Sequence, residues 1–341
     1  MSKKLISVIR IVTFLGIGVL LLWLVLRQQD VSILKSNLES AHWGYALLAL
    51  FFGLLSNIFR ALRWNMLIEP LGYSPRLVNT FGSVMVGYMA NLAIPRLGEL
   101  MRCALLHRYD RVPVNKLLGT VVAERAIDIA TILLLLLVVV MLEFERMSRF
   151  TYQFVVAPME ARLQKLSGQH LPYVLLWIGA LAIAAVIAVQ VYRRLSKTRL
   201  FIRIRYLVRG FVAGLRSVSQ LRHLHLFLVY TVLIWLLYML MSYVCFFCFP
   251  QTSHLSVIAG LAVMVFGGFG WAAPVQGGLG TFHLIVTQAL VLYGIAEADG
   301  LAYAILSHGT QVAGMLVFGL LALVVLPWIN RRRKGLSIPK P

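Results

Sequence analysis

The chain has 341 residues, 60% of them hydrophobic, and a formal net charge of +20. Soluble domains usually contain about 45–50% apolar residues, whereas several uncharged stretches here reach the roughly 20 residues that a helix needs to cross a bilayer core. Composition therefore excludes a soluble protein and indicates an all-α membrane protein that crosses the bilayer several times.

The N-terminal region, residues 1–42, combines a basic start with a long apolar segment at 5–26. A signal peptide begins in the same way, but its apolar region is shorter and a cleavage site with small residues follows it. We therefore expect a retained first span.

Hydropathy divides the rest of the chain into further apolar segments. They lie at 43–59, 77–95, 115–142, 172–192, 225–249, 255–273, 276–295 and 301–329. Between them, residues 193–224 carry nine Lys/Arg and no acid, and RRRK occupies 331–334. Basic clusters beside membrane spans face anionic lipid in the cytoplasm, so a membrane surface is favoured over nucleic acid as the partner of this charge.

The segment at 77–95 conflicts with a simple count of spans. Basic residues lie on both sides of it, in 60–76 and 96–116, and both stretches have cytoplasmic character. A re-entrant hairpin, which enters the membrane and returns to the same side, removes the conflict. The expected cytoplasmic regions then hold 25 basic and three acidic residues, against six basic and seven acidic residues outside. This asymmetry predicts cytoplasmic N- and C-termini, and we expect the membrane to be the inner membrane of a bacterial cell.

The second half contains a similar interruption, FGGFGWAAPVQGGLGTFH at 266–283. A re-entrant segment at 255–273 that enters the membrane from the outside would repeat the order of elements in the first half, with opposite topology. Paired interruptions of this kind indicate a transporter site near the membrane midplane. The alternative is two ordinary spans kinked at glycine-rich turns, and charge does not decide between them because 251–296 contains no Lys, Arg, Asp or Glu.

These elements predict one integral membrane domain over 1–341, with about six full spans and two re-entrant helical hairpins arranged as an inverted repeat. Its expected parts are an N-terminal anchor span, a first repeat, a connecting span with a basic amphipathic segment, a second repeat and a basic tail. Their bounds are 1–42, 43–142, 143–224, 225–330 and 331–341.

The first interruption places Pro95, Arg96, Gly98 and Glu99 within five residues. A helix that begins after such a break presents free N–H groups and its positive dipole end to an anion such as a lipid phosphate. Arg96 and Arg102 would add charge in a planar fork that suits phosphate, and Glu99 is expected to orient one of them. The alternative is a salt bridge at a loop end near the membrane interface.

The span at 115–142 carries Glu124, Arg125 and Asp128 about two to three turns from its start. An unpaired charge costs about 2.5–3.5 kcal/mol at the centre of a membrane helix. The spacing places both carboxylates on one face, where Arg125 can bridge them. We expect this triad to face the protein interior or a polar cavity, either in a transport path or as a helix-packing contact.

Three other groups of residues have simpler interpretations. Arg60, Arg63 and Trp64 are expected to be membrane-interface anchors. His283 and His308 are expected to be hydrogen-bonded packing residues, with proton relay as the alternative. The three cysteines, Cys103, Cys245 and Cys248, are expected to be buried small side chains rather than a disulfide or metal site.

The motifs NLAIPRLGELMR, VVAERAIDIATILLL and APVQGGLGTFH together resemble the lysylphosphatidylglycerol synthase transmembrane region family, a flippase-like membrane domain. RALRW and VRGFVAGLRSVSQL match further features of the family, and the resemblance covers about residues 5–330. It implies a membrane protein that moves or handles lipids.

The resemblance also implies a substrate-binding and translocation site. Its residues would be Asn91, Pro95, Arg96, Gly98, Glu99, Arg102, Glu124, Arg125, Asp128, Pro274, Gly277, Gly278 and Gly280, with His283 where the family commonly has a glutamate.

We therefore expect a flippase or translocase for an anionic phospholipid or a lipid-linked substrate, without enzymatic activity, cofactor or metal. The sequence ends at Pro341, so we expect no synthase domain, and without a P-loop motif the movement would be passive or ion-coupled. One alternative is a lipid-modifying membrane transferase, against which Asp-x-Asp, H-E-x-x-H and G-x-S-x-G motifs are all missing.

The other alternative is a non-transporting accessory protein for an envelope lipid or glycan enzyme, docked through 193–224. The expected partners are the lipid substrate, anionic lipids at the basic face, and a protein partner or a second copy of the chain. Nucleic acid is not expected.

Overall fold

The computed structural model describes residues 31–152 and 221–331, with seven residues between 16 and 27. These parts consist of helices and turns, without a strand. The α-helices are α1 Val31–Glu39, α2 Trp43–Ile68, α3 Leu77–Ala93, α4 Leu97–Asp110, α5 Val114–Leu142, α6 Phe144–Thr151, α7 Leu224–Val244, α8 Val257–Ala272, α9 Thr281–Val291 and α10 Glu297–Asn330. The expected span at 172–192, most of the N-terminal span and basic segment, and the tail after 331 lie outside the described residues.

Four helical stretches in the described part are long and apolar enough to cross a membrane. They are Trp43–Leu71, Val114–Leu142, Leu224–Cys248 and Glu297–Asn330. Their outward faces remain apolar: Leu47, Met141 and Val324 are each at least 67% exposed. Such faces suit lipid rather than water as the solvent, which confirms an all-helical membrane protein with several spans.

The first interruption forms a hairpin of α3 and α4. Ile94 is extended, the conformation that a following proline favours, and Arg96 adopts a left-handed conformation with φ 67°. The chain thereby turns back, and Asn91 Oδ1 accepts a hydrogen bond of 2.7 Å from the Gly98 N–H. A side-chain carbon at Gly98 would collide with the carbonyl oxygen of Gly87. Glycine therefore permits direct backbone contact between the two helices.

The second interruption forms a similar hairpin of α8 and α9. Its turn contains Gly277, Gly278 and Gly280, all with positive φ. The hydroxyl of Thr281 donates to the Gly270 carbonyl oxygen at 2.9 Å, and a side-chain carbon at Gly270 would lie 2.7 Å from Phe282 Cα. Both hairpins thus use glycine where their helices touch.

The long helix α10 packs against both hairpins, through α3 of the first and α9 of the second. The two breaks are also neighbours, because a side-chain carbon at Gly277 would lie 3.0 Å from Cδ2 of Leu92. The helix α2 packs along α7. The three cysteines are buried and unlinked, as expected.

The close approach at Gly98 leads to a stability prediction. We expect Gly98→Ala to lower the free energy of unfolding by about 1–3 kcal/mol, because the added methyl group overpacks the α3–α4 contact. Gly119 on α5 has no atom within 4 Å of an added side-chain carbon. Gly119→Ala should therefore leave stability unchanged or raise it by up to about 1 kcal/mol. Thermal unfolding in detergent measures both, and a Gly98→Ala protein as stable as the native one would contradict the contact.

Candidate functional site

Seven charged side chains from α2, α4 and α5 meet in one place, which we call the charge cluster. Its members are Arg60, Arg63, Glu99, Arg102, Glu124, Arg125 and Asp128. Five of them are buried, and Glu99 and Arg125 lie at its half-buried edge. Since α2 and α5 are apolar enough to span a membrane, these charges are stable there only when they are paired.

The centre of the charge cluster joins α2 to α5. Glu124 and Asp128 lie one turn apart on the same face of α5, as their spacing predicts. The Nη1 atom of Arg60 lies 2.7 Å from both Glu124 Oε1 and Asp128 Oδ2. One helical turn further along α2, Arg63 Nη2 donates to Asp128 Oδ1 at 2.6 Å. Two arginines and two carboxylates therefore clamp the two helices together.

Arg102 attaches the first hairpin to this pair of helices. Its Nη1 atom lies 2.9 Å from Glu124 Oε2, close enough for an ion pair, although Glu124 Oε2 lacks an aligned hydrogen bond. Its guanidinium group stacks over the Trp64 ring at 4.5 Å, and the Trp64 indole N–H donates to the Thr120 hydroxyl at 2.9 Å. The position of α4 thus depends on a charge that α5 supplies.

The charge cluster has more donors than acceptors. It contains four arginines and three carboxylates, and several of its buried guanidinium nitrogens have no hydrogen-bond partner among the described residues. These are Arg60 Nε, Arg63 Nε, Arg102 Nε, Arg102 Nη2 and Arg125 Nε. A buried donor without a partner costs about 1–3 kcal/mol. In the same part of the chain, two carboxylate oxygens, Glu99 Oε2 and Glu124 Oε2, also lack a hydrogen bond. The cluster nevertheless has one more positive than negative charge, which suits one additional anionic oxygen group.

Several expectations for these residues need correction. The prediction that Arg60, Arg63 and Trp64 are interface anchors is wrong, because all three are at most 4% exposed. Their helix continues to Ile68, and the carboxylates of α5 neutralise its charges.

Two details around the first break also differ from expectation. Glu99 pairs with Arg125 at 3.8 Å rather than with Arg96 or Arg102. Arg96 is exposed at the start of α4, outside the charge cluster. It contributes to the first break through its left-handed backbone conformation, which turns the chain. Arg125 reaches Asp128 at 3.8 Å but forms no ion pair with Glu124 of 4 Å or less. The bridge predicted within the triad is therefore only partial.

The residues of the third motif, Pro274, Gly277, Gly278, Gly280 and His283, form the second break. They are separate from the charge cluster and adjoin the end of α3 through Leu92 and Gly277. His283 is buried there, with His308 beside it at a ring distance of 4.7 Å. In the described part of the chain, no three His, Cys, Asp or Glu side chains are grouped so that they could hold a metal ion.

The charge cluster leads to a second stability prediction. Glu124→Gln removes the carboxylate charge that pairs with Arg102 and, beside Asp128, with Arg60. We therefore expect it to lower the free energy of unfolding by about 3–5 kcal/mol. Glu39 forms an exposed pair with Lys35 at 3.7 Å, and the same change there should cost less than about 1 kcal/mol. Unfolding curves in detergent compare the two. Equal effects would mean that the buried pairs do not stabilise the fold.

Sequence similarity relates the chain to known membrane proteins. The UPF0104 membrane protein MJ1595 of Methanocaldococcus jannaschii is 28% identical over 137 residues, a match that spans 39% of this chain and 39% of the archaeal protein. No solved structure matches the chain. The family described as lysylphosphatidylglycerol synthase TM region matches residues 8–319. Because this match covers nearly the whole sequence, the chain belongs to the lysylphosphatidylglycerol synthase TM region family.

Proposed function

We propose that the protein is a translocase for anionic lipids, either phospholipids or lipid-linked substrates. The observation that carries this proposal is the charge cluster, with its buried and unpartnered guanidinium nitrogens beside a broken hairpin. A phosphodiester carries one negative charge, which would balance the four arginines against the three carboxylates. Arginine's fork of donors also matches the oxygen atoms of a phosphate group.

The two hairpins are proposed to be re-entrant. Their helices have 17, 14, 16 and 11 residues. At about 1.5 Å per residue, each is shorter than the roughly 30 Å hydrocarbon core of a bilayer. Broken helices that meet from opposite sides are typical of transporters that expose one site alternately to each face. The contact between the two breaks supports such an arrangement here.

The setting of this activity follows from charge and composition. We propose a bacterial inner membrane location, with both termini in the cytoplasm and anionic lipids against the basic face. Lipid movement would require neither a cofactor nor enzymatic activity. The family membership supports a role in lipid handling. The proposal that the lipid is anionic rests on the excess positive charge of the charge cluster.

Lipid movement can be measured in proteoliposomes that contain fluorescent anionic or zwitterionic lipids. We expect Arg102→Gln to slow movement of the anionic lipid by about tenfold or more, since a hydrogen bond to a charged group contributes about 1.5–3 kcal/mol. Arg108 is an exposed arginine on the same helix, and Arg108→Gln should keep the native rate.

The result must be separated from a loss of folding. Both variants are therefore compared at equal amounts of monodisperse protein, and Arg102→Lys, which retains the charge, should recover part of the rate. The proposal fails if native protein moves no anionic lipid, or if folded Arg102→Gln moves it at the native rate.

The re-entrant first hairpin predicts that its two flanks lie on one side of the membrane. Ser74 and Asn115 are exposed positions before and after it. In intact cells or sealed vesicles, Ser74→Cys and Asn115→Cys should react with an impermeant thiol reagent from the same side. The native protein is the control, because its three cysteines are buried. Labelling from opposite sides would show that this region crosses the membrane once.

A further inference from the structure

Two buried histidines face each other at the second break. His283 lies in the first turn of α9 and His308 lies on α10, and they are 4% and 7% exposed. Their ring centroids are 4.7 Å apart, and Trp271 stacks beside His308 at 4.9 Å. Both imidazoles also form hydrogen bonds with the backbone of the break, at Gly280 and Gly277.

The hydrogen bonds of the two rings define where their protons lie. The Gly280 N–H can only donate, and it points to His283 Nδ1 at 3.3 Å. Nδ1 is therefore unprotonated, and the ring is neutral with its proton on Nε2. The Gly277 carbonyl oxygen can only accept, and it lies 2.7 Å from His308 Nε2. His308 therefore carries its proton on Nε2, which makes Nδ1 its basic atom.

The two rings differ in what protonation would do to them. A proton on His308 Nδ1 leaves the bond to Gly277 intact and strengthens it, because the donor becomes charged. A proton on His283 Nδ1 would break the bond to Gly280 and leave the start of α9 without this acceptor. Two imidazolium rings at this separation would also repel each other. Of the two rings, His308 is therefore the one that can accept a proton and keep its bond to the break.

Other titratable groups lie on the elements that pack against α10. They are Lys35 and Glu39 on α1, Tyr45, Arg60 and Arg63 on α2, and Cys245 and Cys248 in the turn 245–248. The segments 257–272 and 273–280 contain none, and α9 contains only His283. On α10, Tyr303 donates to the Ser242 carbonyl oxygen, and Asp299 accepts from Asn37. Glu297 accepts from Gln288 and lies three helical turns before His308. Tyr88 is the titratable side chain of α3, which contacts the turn 276–278.

We propose that Nδ1 of His308 is a proton-binding site and that protonation of this pair couples lipid movement to a proton gradient. No carboxylate on α8, α9 or the turn between them balances the bound proton. An anionic lipid group that reaches the second break would supply the missing negative charge, so the proton and the lipid would favour each other's binding. The coupling rests on the proposed translocase function, whereas the proton site does not.

Tryptophan fluorescence of the purified protein tests the proton site without any transport assay. The fluorescence of Trp271 is the difference in signal between the native protein and Trp271→Phe. A protonated imidazole quenches an indole in contact with it, so this fluorescence should decrease as the pH is lowered from about 8 to about 4, with the shape of a single-proton titration. His308→Gln should abolish this decrease, while its amide N–H can still donate to Gly277. The exposed His254 provides the matched control, and His254→Gln should leave the curve unchanged. A flat difference signal, or one that His308→Gln does not change, would overturn the proton site.

The coupling is tested separately in proteoliposomes with an imposed pH gradient. The gradient should accelerate movement of an anionic fluorescent lipid by the native protein, and His308→Gln should lose this acceleration. If the fluorescence of Trp271 decreases as expected but the pH gradient does not change the rate of lipid movement, the proton site is retained and the coupling is rejected. If no lipid moves under any condition, the translocase function and the coupling fail together, and the proton site is unaffected.

Discussion

The pairing of Glu124 and Asp128 with arginines from two other helices is the interaction on which the arrangement of the first half depends. A carboxylate or guanidinium group inside a membrane bundle is stable only next to its partner. Because α5 supplies both carboxylates, α2 and α4 must both approach it, and each does so through arginine. The position of the first hairpin, and therefore of its break, follows from this requirement.

The two hairpins share a construction but differ in chemistry. Proline ends the first helix of each, and glycine lets the second helix return in backbone contact. The first hairpin contributes Glu99 and Arg102 to a site with excess positive charge, whereas the second surrounds its turn with neutral imidazole and indole rings. Because the breaks adjoin, the proposed lipid path would lead from the charge cluster beside the first break to the proposed proton site at the second.

The sequence predicts the structure correctly where local composition determines it. Apolar length identified α5 and α10, proline and glycine identified both breaks, and the spacing of Glu124 and Asp128 identified their common face. The prediction failed where the outcome depends on a partner distant in sequence. The end of α2 was predicted too early because Arg60 and Arg63 resemble a membrane boundary when their carboxylate partners, more than 60 residues away, are unknown. The sequence did contain a signal for the longer helix, because apolar residues continue on both sides of Arg60. Such a pattern indicates that the charges lie within the span.

The central claim is that the excess positive charge of the cluster binds the negative charge of a lipid. Native mass spectrometry of protein released from mixed lipid measures this directly, without any movement of lipid. The native protein and Arg108→Gln should retain anionic lipid in preference to zwitterionic lipid, and Arg102→Gln should lose most of that preference. Equal retention of both lipids by the native protein, or an unchanged preference in folded Arg102→Gln, would contradict the account.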